Sequence, residues 1–288
     1  MLKKSTIQLL RFHFSFFLMP VYWFALSQTV NINWPRAIFI FFILHLLVYP
    51  ASNGYNSYID RDETSIGGLK NPFQPTKQLF YTTLLMDIVA AFLSSYVSIY
   101  FAAGLIAYIL ASRAYSSKKI RLKKYPFIGY LTVIVFQGAV TFFLVYHGSE
   151  ANKTLHVPIE AMIASSLLIG GFYPLTQVYQ HEADLKDGVK TISYILGVKG
   201  TFIFCATVYL FSFMSLAYTF FISLEIREFF VLAGCMLPVL VYFFIWAAKV
   251  WKDKACADFR HTMRMNLIAS IGTNIGFIIV LLMNNFRK

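Results

Sequence analysis

Apolar residues run along this chain in long blocks divided by short polar stretches. A helix needs about 20 predominantly apolar residues to cross a bilayer. Nine blocks meet or approach that length: 9–28, 37–58, 79–97, 99–115, 127–146, 159–179, 201–223, 229–251 and 262–283. Little more than Ser98 separates the third from the fourth, so that pair is expected to form a tight helical hairpin. The pattern predicts an all-α polytopic membrane protein, with nine transmembrane helices around a central cavity and one domain over 1–288.

Composition agrees. The chain has 288 residues, of which 58% are apolar and 13% charged, about half the charged share of an ordinary soluble domain. Lys3 and Lys4 before the first block resemble the start of a signal peptide. No small-residue cleavage site follows, so the block is expected to be a retained span. The net charge of +12 sits in the stretches between blocks. That placement points to membrane topology and anionic headgroups, with no nucleic acid as partner. A nine-span layout puts 20 of the 25 Lys and Arg on the side of the N-terminus and leaves Arg36, Lys153, Arg227, Arg287 and Lys288 opposite. The basic side is therefore expected to be cytoplasmic, in the cell (inner) membrane.

Six of the thirteen acids lie in two short stretches on that basic side. The first, Asn56-Ser57-Tyr58-Ile59-Asp60-Arg61-Asp62-Glu63, closes the second block. The second, Gln180-His181-Glu182-Ala183-Asp184-Leu185-Lys186-Asp187-Gly188, closes the sixth. Carboxylates at span ends are costly without partners and mark sites. The stretches lie four spans apart, which suggests two four-helix halves, about 1–125 and 126–255, plus a final helix. Asn56, Asp60 and Thr64 at i, i+4, i+8 share one helix face, with Asp62 and Glu63 beside it. Gln177, Gln180 and Asp184 repeat the logic at i, i+3, i+7, and Asp187 continues it. Oxygen ligands from two helix ends suit magnesium, which takes a few carboxylates plus waters and phosphate oxygens. The alternative is solvated loop acids balanced by Arg61, Lys70, Lys186 and Lys190.

Taken with the basic loop Tyr115-Ser116 to Arg121-Leu122-Lys123, these stretches resemble the UbiA-type intramembrane prenyltransferase superfamily. The first stretch and Lys70-Asn71-Pro72 are similar to its N-D-x-x-D-x-x-x-D motif and K-x-R-P-like element. The second, with Val189-Lys190-Thr191 and Leu196-Gly197, is similar to its D-x-x-x-D motif and G-x-x-T…L-G tail. The resemblance implies a Mg2+-dependent transfer of a prenyl group from a polyprenyl diphosphate to an acceptor, aromatic or lipid. It casts Asp60 and Asp184 as the catalytic pair. Asn56, Asp60, Gln180 and Asp184 become metal ligands, with Asp62 and Asp187 beside them. Arg121, Lys123 and Lys190 become diphosphate contacts. Ser57, Thr64, Gln177 and Gln180 depart from the family's acids, and Asp62, Glu63, Glu182 and Asp187 are the candidates to compensate. A terpene cyclase and a silent isoprenoid binder fit the same motifs.

Asp87, isolated in the third block, is a functional suspect and favours a rival reading as a transporter. His13 and His45 read as satisfied polar groups, and His181 as a substrate contact or a helix-end residue. Phe17, Tyr22, Trp23 and Phe136 are candidates to line a prenyl groove and face an allylic cation. Cys205, Cys235 and Cys256 are scattered and read as packing residues.

Overall fold

The computed structural model describes residues 2–286, so Arg287 and Lys288 of the charge count lie outside the described residues. Among these, nine long helices follow one another: α1 (Lys4–Gln28), α2 (Trp34–Asp60), α3 (Lys77–Ser94), α4 (Ile99–Ser116), α5 (Pro126–Ser149), α6 (Ile159–Gln177), α7 (Ile192–Ile222), α8 (Ile226–Lys252) and α9 (Phe259–Phe286). Eight are long and apolar enough to cross a membrane. The exception is α3, whose apolar run is diluted by Lys77, Gln78, Thr82, Thr83 and Asp87. It pairs with α4 in the expected hairpin, turning through 95–98.

The outer surface identifies the solvent. Ile88, Phe92, Leu110, Phe211, Phe230 and Phe244 are each more than half exposed. In water, such a surface would drive aggregation; against lipid tails it is the required one. The protein is an integral membrane protein.

One end of the bundle is closed. Phe24 of α1 packs on Phe142 of α5 at 5.2 Å, Phe277 of α9 at 4.7 Å and Phe220 of α7 at 6.3 Å between ring centres. Aromatic pairs of this kind add about 0.5–1.5 kcal/mol each beyond their buried area. The loops at this end are strapped as well. Arg36 donates to Gly148 O at 2.7 Å and to Glu150 O, and Ala151 N donates to Asn31 O at 2.8 Å. Glu225 accepts from Asn284 at 2.9 Å. The opposite end, which carries both acidic stretches, is left to open.

Several helices depart from regular geometry on the way to that end. α1 breaks at Arg11, in left-handed conformation (φ 48), and runs as 3-10 turns over Phe12–Leu18 ahead of Pro20. α2 and α5 widen to π turns over Phe42–Val48 and Val135–Val140. α6 tightens to 3-10 over Tyr173–Gln177, where Pro174 has no N–H to continue the α ladder. α7 bends at Gly197 (φ 66, ψ 170), a conformation that side chains resist. That helix begins at Ile192, nine residues before the predicted span.

Candidate active site

The open end holds a cavity of about 630 Å³, and both acidic stretches line it. Asn56, Asp60, Asp62, Glu63 and Thr64 face it from the end of α2 and the following loop. Gln177, Gln180, Glu182, Asp184 and Asp187 face it from the end of α6 and the short helix His181–Lys186. The predicted continuous helical faces do not form. α2 stops at Asp60 because Arg61 turns left-handed (φ 55), its N–H returning to Ser57 O at 3.1 Å. Thr64 therefore reaches the cavity from a loop. On the second side, Pro174 and the turn 178–180 interrupt the helix before Asp184.

The loop after α2 is folded back by a tight turn in which Ile66 and Leu69 exchange N–H···O bonds at 2.9 Å. Arg11 pins it, donating to Gly67 O at 3.0 Å and to Asn53 O at 3.2 Å. Arg11 is buried and lines the cavity. The sequence reading missed it, counting it as a topology charge. Its signal was present: a cation inside an apolar block needs an internal partner.

The basic loop between α4 and α5 closes over the acids. Arg121, also left-handed (φ 52), starts the turn Leu122–Lys124. Lys123 Nζ lies 2.5 Å from Asp60 Oδ2, and Arg121 bonds Asp187 Oδ2 at 3.1 Å. Gly129 makes this possible, since a Cβ there would meet Lys123 Cα at 3.1 Å and Leu122 O at 3.2 Å. Lys190 is exposed and does not line the cavity; Lys186 does.

Burial and crowding shape the acids. Asp184 is pushed up to about 7, first by burial and then by neighbouring Asp62, Asp60 and Asp187, against the pull of Lys123. Asp62 is pushed up to about 6, first by burial and then by Asp60. Asp60 Oδ1 and Gln177 Oε1 are buried with no hydrogen-bond partner. Among the described residues, no three His, Cys, Asp or Glu side chains already converge as a metal cluster. Unpartnered oxygens and crowded carboxyls nonetheless suit a hard divalent cation that brings its own waters and phosphate oxygens. Asn56 donates to Ser116 Oγ at 2.9 Å, and Gln180 donates to Ser65 O at 3.4 Å and Tyr179 at 3.1 Å, which leaves each amide oxygen as an acceptor.

His181 stands behind the second stretch. Its Nε2 lies 2.8 Å from Ser193 Oγ, which lies 3.0 Å from Thr201 Oγ1 on α7. Burial lowers its pKa. It does not line the cavity, so its place is that of a helix-end anchor.

Deeper, the walls turn aromatic. Tyr108, Phe136, Tyr115 and Tyr173 line the cavity, and the last two share a short hydroxyl–hydroxyl contact. Tyr108 sits about two turns of α4 below Ser116. Of the aromatic candidates only Phe136 is placed here. Tyr22 donates to Ala37 O in the core, Phe17 packs edge-on to Phe14, and Trp23 packs against Tyr22.

Asp87 lies outside the cavity, ion-paired to Arg113, whose guanidinium stacks 4.0 Å over Tyr55. It has a structural partner, which removes the motive for a transport site. His13 bonds Gly68 O at 3.1 Å, as a satisfied polar group. His45 is only half satisfied: its Nδ1 bonds Ser15 Oγ at 2.6 Å, while its Nε2 is buried without a hydrogen-bond partner, a correction to the sequence expectation. The three cysteines are free, with Cys205 buried in the core.

The fold is similar to that of a UbiA homologue from Archaeoglobus fulgidus bound to Cd2+. The TM-score is 0.68 at 18% identity, over 96% of this chain and 99% of that one. The same values hold for structures of the Archaeoglobus fulgidus UbiA homologue bound to DMAPP and Mg2+ and to GPP and Mg2+. A digeranylgeranylglyceryl phosphate synthase matches with a TM-score of 0.61 at 18% identity, over 97% of each chain. No curated protein matches the sequence. At these identities the likeness concerns the fold. The sequence itself matches the model of the UbiA prenyltransferase family over residues 17–268, and the chain belongs to that family.

Proposed function

We propose that the protein transfers a prenyl group from a polyprenyl diphosphate to a membrane-borne acceptor, with Mg2+ as cofactor. The observation that carries this reading is the meeting of Asp60, Asp62 and Asp184 with Lys123 in one cavity whose deeper wall is aromatic. Structures of the archaeal UbiA homologue with DMAPP or GPP and Mg2+ support it. Asn56, Asp60, Gln180 and Asp184 would hold the metal, with Asp62 and Asp187 as further oxygens. The metal supplies charge that stabilises the departing diphosphate.

The remaining work falls to the chain. Lys123 and Lys186 line the cavity and bring positive charge to the diphosphate in place of Lys190; Arg121 does not line it and adds its charge from behind Asp187, which it bonds. Arg offers a planar fork, Lys a point charge. As the C–O bond breaks, its electron pair leaves with the diphosphate and an allylic cation remains. Tyr108, Phe136, Tyr115 and Tyr173 present ring faces to that cation. The closed end of the bundle keeps out water, which would otherwise give an alcohol. The acceptor attacks the cation and loses a proton. The excess of Lys and Arg in the loops at this end supports a reading in which it faces the cytoplasm, in the cell membrane, with the N-terminus on the same side. Each four-helix half, about 1–125 and 126–255, contributes one acidic stretch.

Purified protein is incubated with labelled prenyl diphosphates, Mg2+ and a membrane extract as acceptor source. The expected result is Mg2+-dependent diphosphate release with a prenylated product, lost in D60N and D184N. A hydrocarbon formed without acceptor would make the protein a cyclase. Tight binding without turnover across acceptors would make it a binder.

A further inference from the structure

One contact in the cavity runs against what a ready metal site needs. Lys123 Nζ lies 2.5 Å from Asp60 Oδ2, with the two side chains 10% and 4% exposed. The same ammonium pulls on Asp62 and Asp184, opposing their upward shifts. Lys123 lines the same cavity as Asp60 and Asp62 of the first stretch and Asp184 of the second, so it faces acids of both. The second oxygen of Asp60 is buried without a hydrogen-bond partner, 3.9 Å from Arg121.

We propose that Lys123 is a tethered placeholder cation: it neutralises Asp60 while the site holds no metal, and passes to the diphosphate when magnesium takes Asp60. This rests on the metal and diphosphate reading above and adds an order to it. Lysine suits the part because its charge is compact and its four-carbon stem is flexible. A diphosphate alone meets Asp60, Asp62, Asp184 and Asp187 and is repelled. Magnesium alone must displace Lys123. Together each removes the other's obstacle, since the phosphate offers Lys123 a new partner and the metal screens the acids. The two ligands then bind with positive cooperativity, and the coupling is reciprocal.

Isothermal titration of Mg2+ into the full chain, without any prenyl diphosphate, tests this. K123M is expected to bind Mg2+ about tenfold more tightly than wild type, because a competing charge has gone. K123R keeps the charge and is expected to stay near wild type. At saturating Mg2+, K123M is expected to bind an unreactive prenyl thiolodiphosphate about tenfold more weakly. Shifts of opposite sign are a signature that a folding defect does not produce. K123Q carries the same expectation should K123M not purify as a single species. Mg2+ affinity in K123M and K123Q at or below wild type would overturn the placeholder, as would a rise in K123R equal to that in K123M. D60N separates this from the parent reading. Loss of Mg2+ binding in D60N with no gain in K123M leaves the metal site standing and removes the placeholder. Unchanged Mg2+ binding in D60N removes both.

Discussion

The two acidic stretches face one cavity but are built differently. The first ends a continuous helix: Asp60 is the last residue of α2, its side chain is 4% exposed, and Lys123 already neutralises it. The second rides on the short helix His181–Lys186, cut off from α6 by Pro174 and tied to α7 through His181. Its outer acid is open, with the Asp187 side chain 47% exposed, while Asp184 is pushed up to about 7, first by burial. The contrast suggests a division of labour. The first stretch is an anchor at a helix end whose charge a counter-ion covers until a metal displaces it, and the second is a separate arm that a cation must draw in.

If that division holds, D60N is the most damaging single change. It is expected to lower kcat/KM for prenyl transfer by about 10²–10³-fold, the scale of losing one preorganised electrostatic group. D184N is expected to be severe but smaller, since Asp62 and Asp187 stand nearby. Equal losses in steady-state assays would erase the asymmetry. The next effect is on pH. A carboxyl raised to about 7 must lose its proton before it binds a cation, so protons compete with the metal. Mg2+ affinity is expected to fall as pH drops from 8 to 6, through the Asp184 range and then the Asp62 range near 6. Calorimetric titrations of D184N are expected to show a flatter upper limb, and an unaltered profile would contradict the assignment.

H181A tests the arm alone. Removing its bond to Ser193 is expected to weaken Mg2+ binding by about tenfold, as supporting hydrogen bonds at metal sites do. H181Q, which keeps a polar contact, is expected to recover much of it. The smallest expected effect on the site comes from D87N. It breaks the pair with Arg113, so thermal stability is expected to fall while Mg2+ affinity stays unchanged. A change in Mg2+ affinity would connect Asp87 to the cavity after all.

Much of this arrangement was legible in the sequence, because membrane spans are set by apolar length and the acids stand out against them. Asp60 and Asp184 stood out by their places near two span ends, whereas Arg121 and Lys123 were singled out from the basic loop only by the resemblance to the family. What was not readable depends on packing between distant segments. Arg11 looked like one more basic residue until the loop after α2 folded onto it. Lys186 ends the short helix and lines the cavity, whereas Lys190 follows the turn at Gly188 (φ 69) and does not. Asp87 looked alone because its partner, Arg113, lies 26 positions later; the α3–α4 hairpin brings the two together. The break at Pro174 was present in the sequence, yet a heptad-like spacing of polar oxygens outweighed it.

The central claim is that both stretches grip one shared cation–diphosphate head. It is tested most directly by titrating an unreactive prenyl thiolodiphosphate into wild type, D60N and D184N, each with and without Mg2+. The account predicts Mg2+-dependent binding in wild type that is strongly weakened in both variants, more in D60N than in D184N. Mg2+-dependent binding of wild-type strength in either variant would mean that the two stretches do not hold a common ligand.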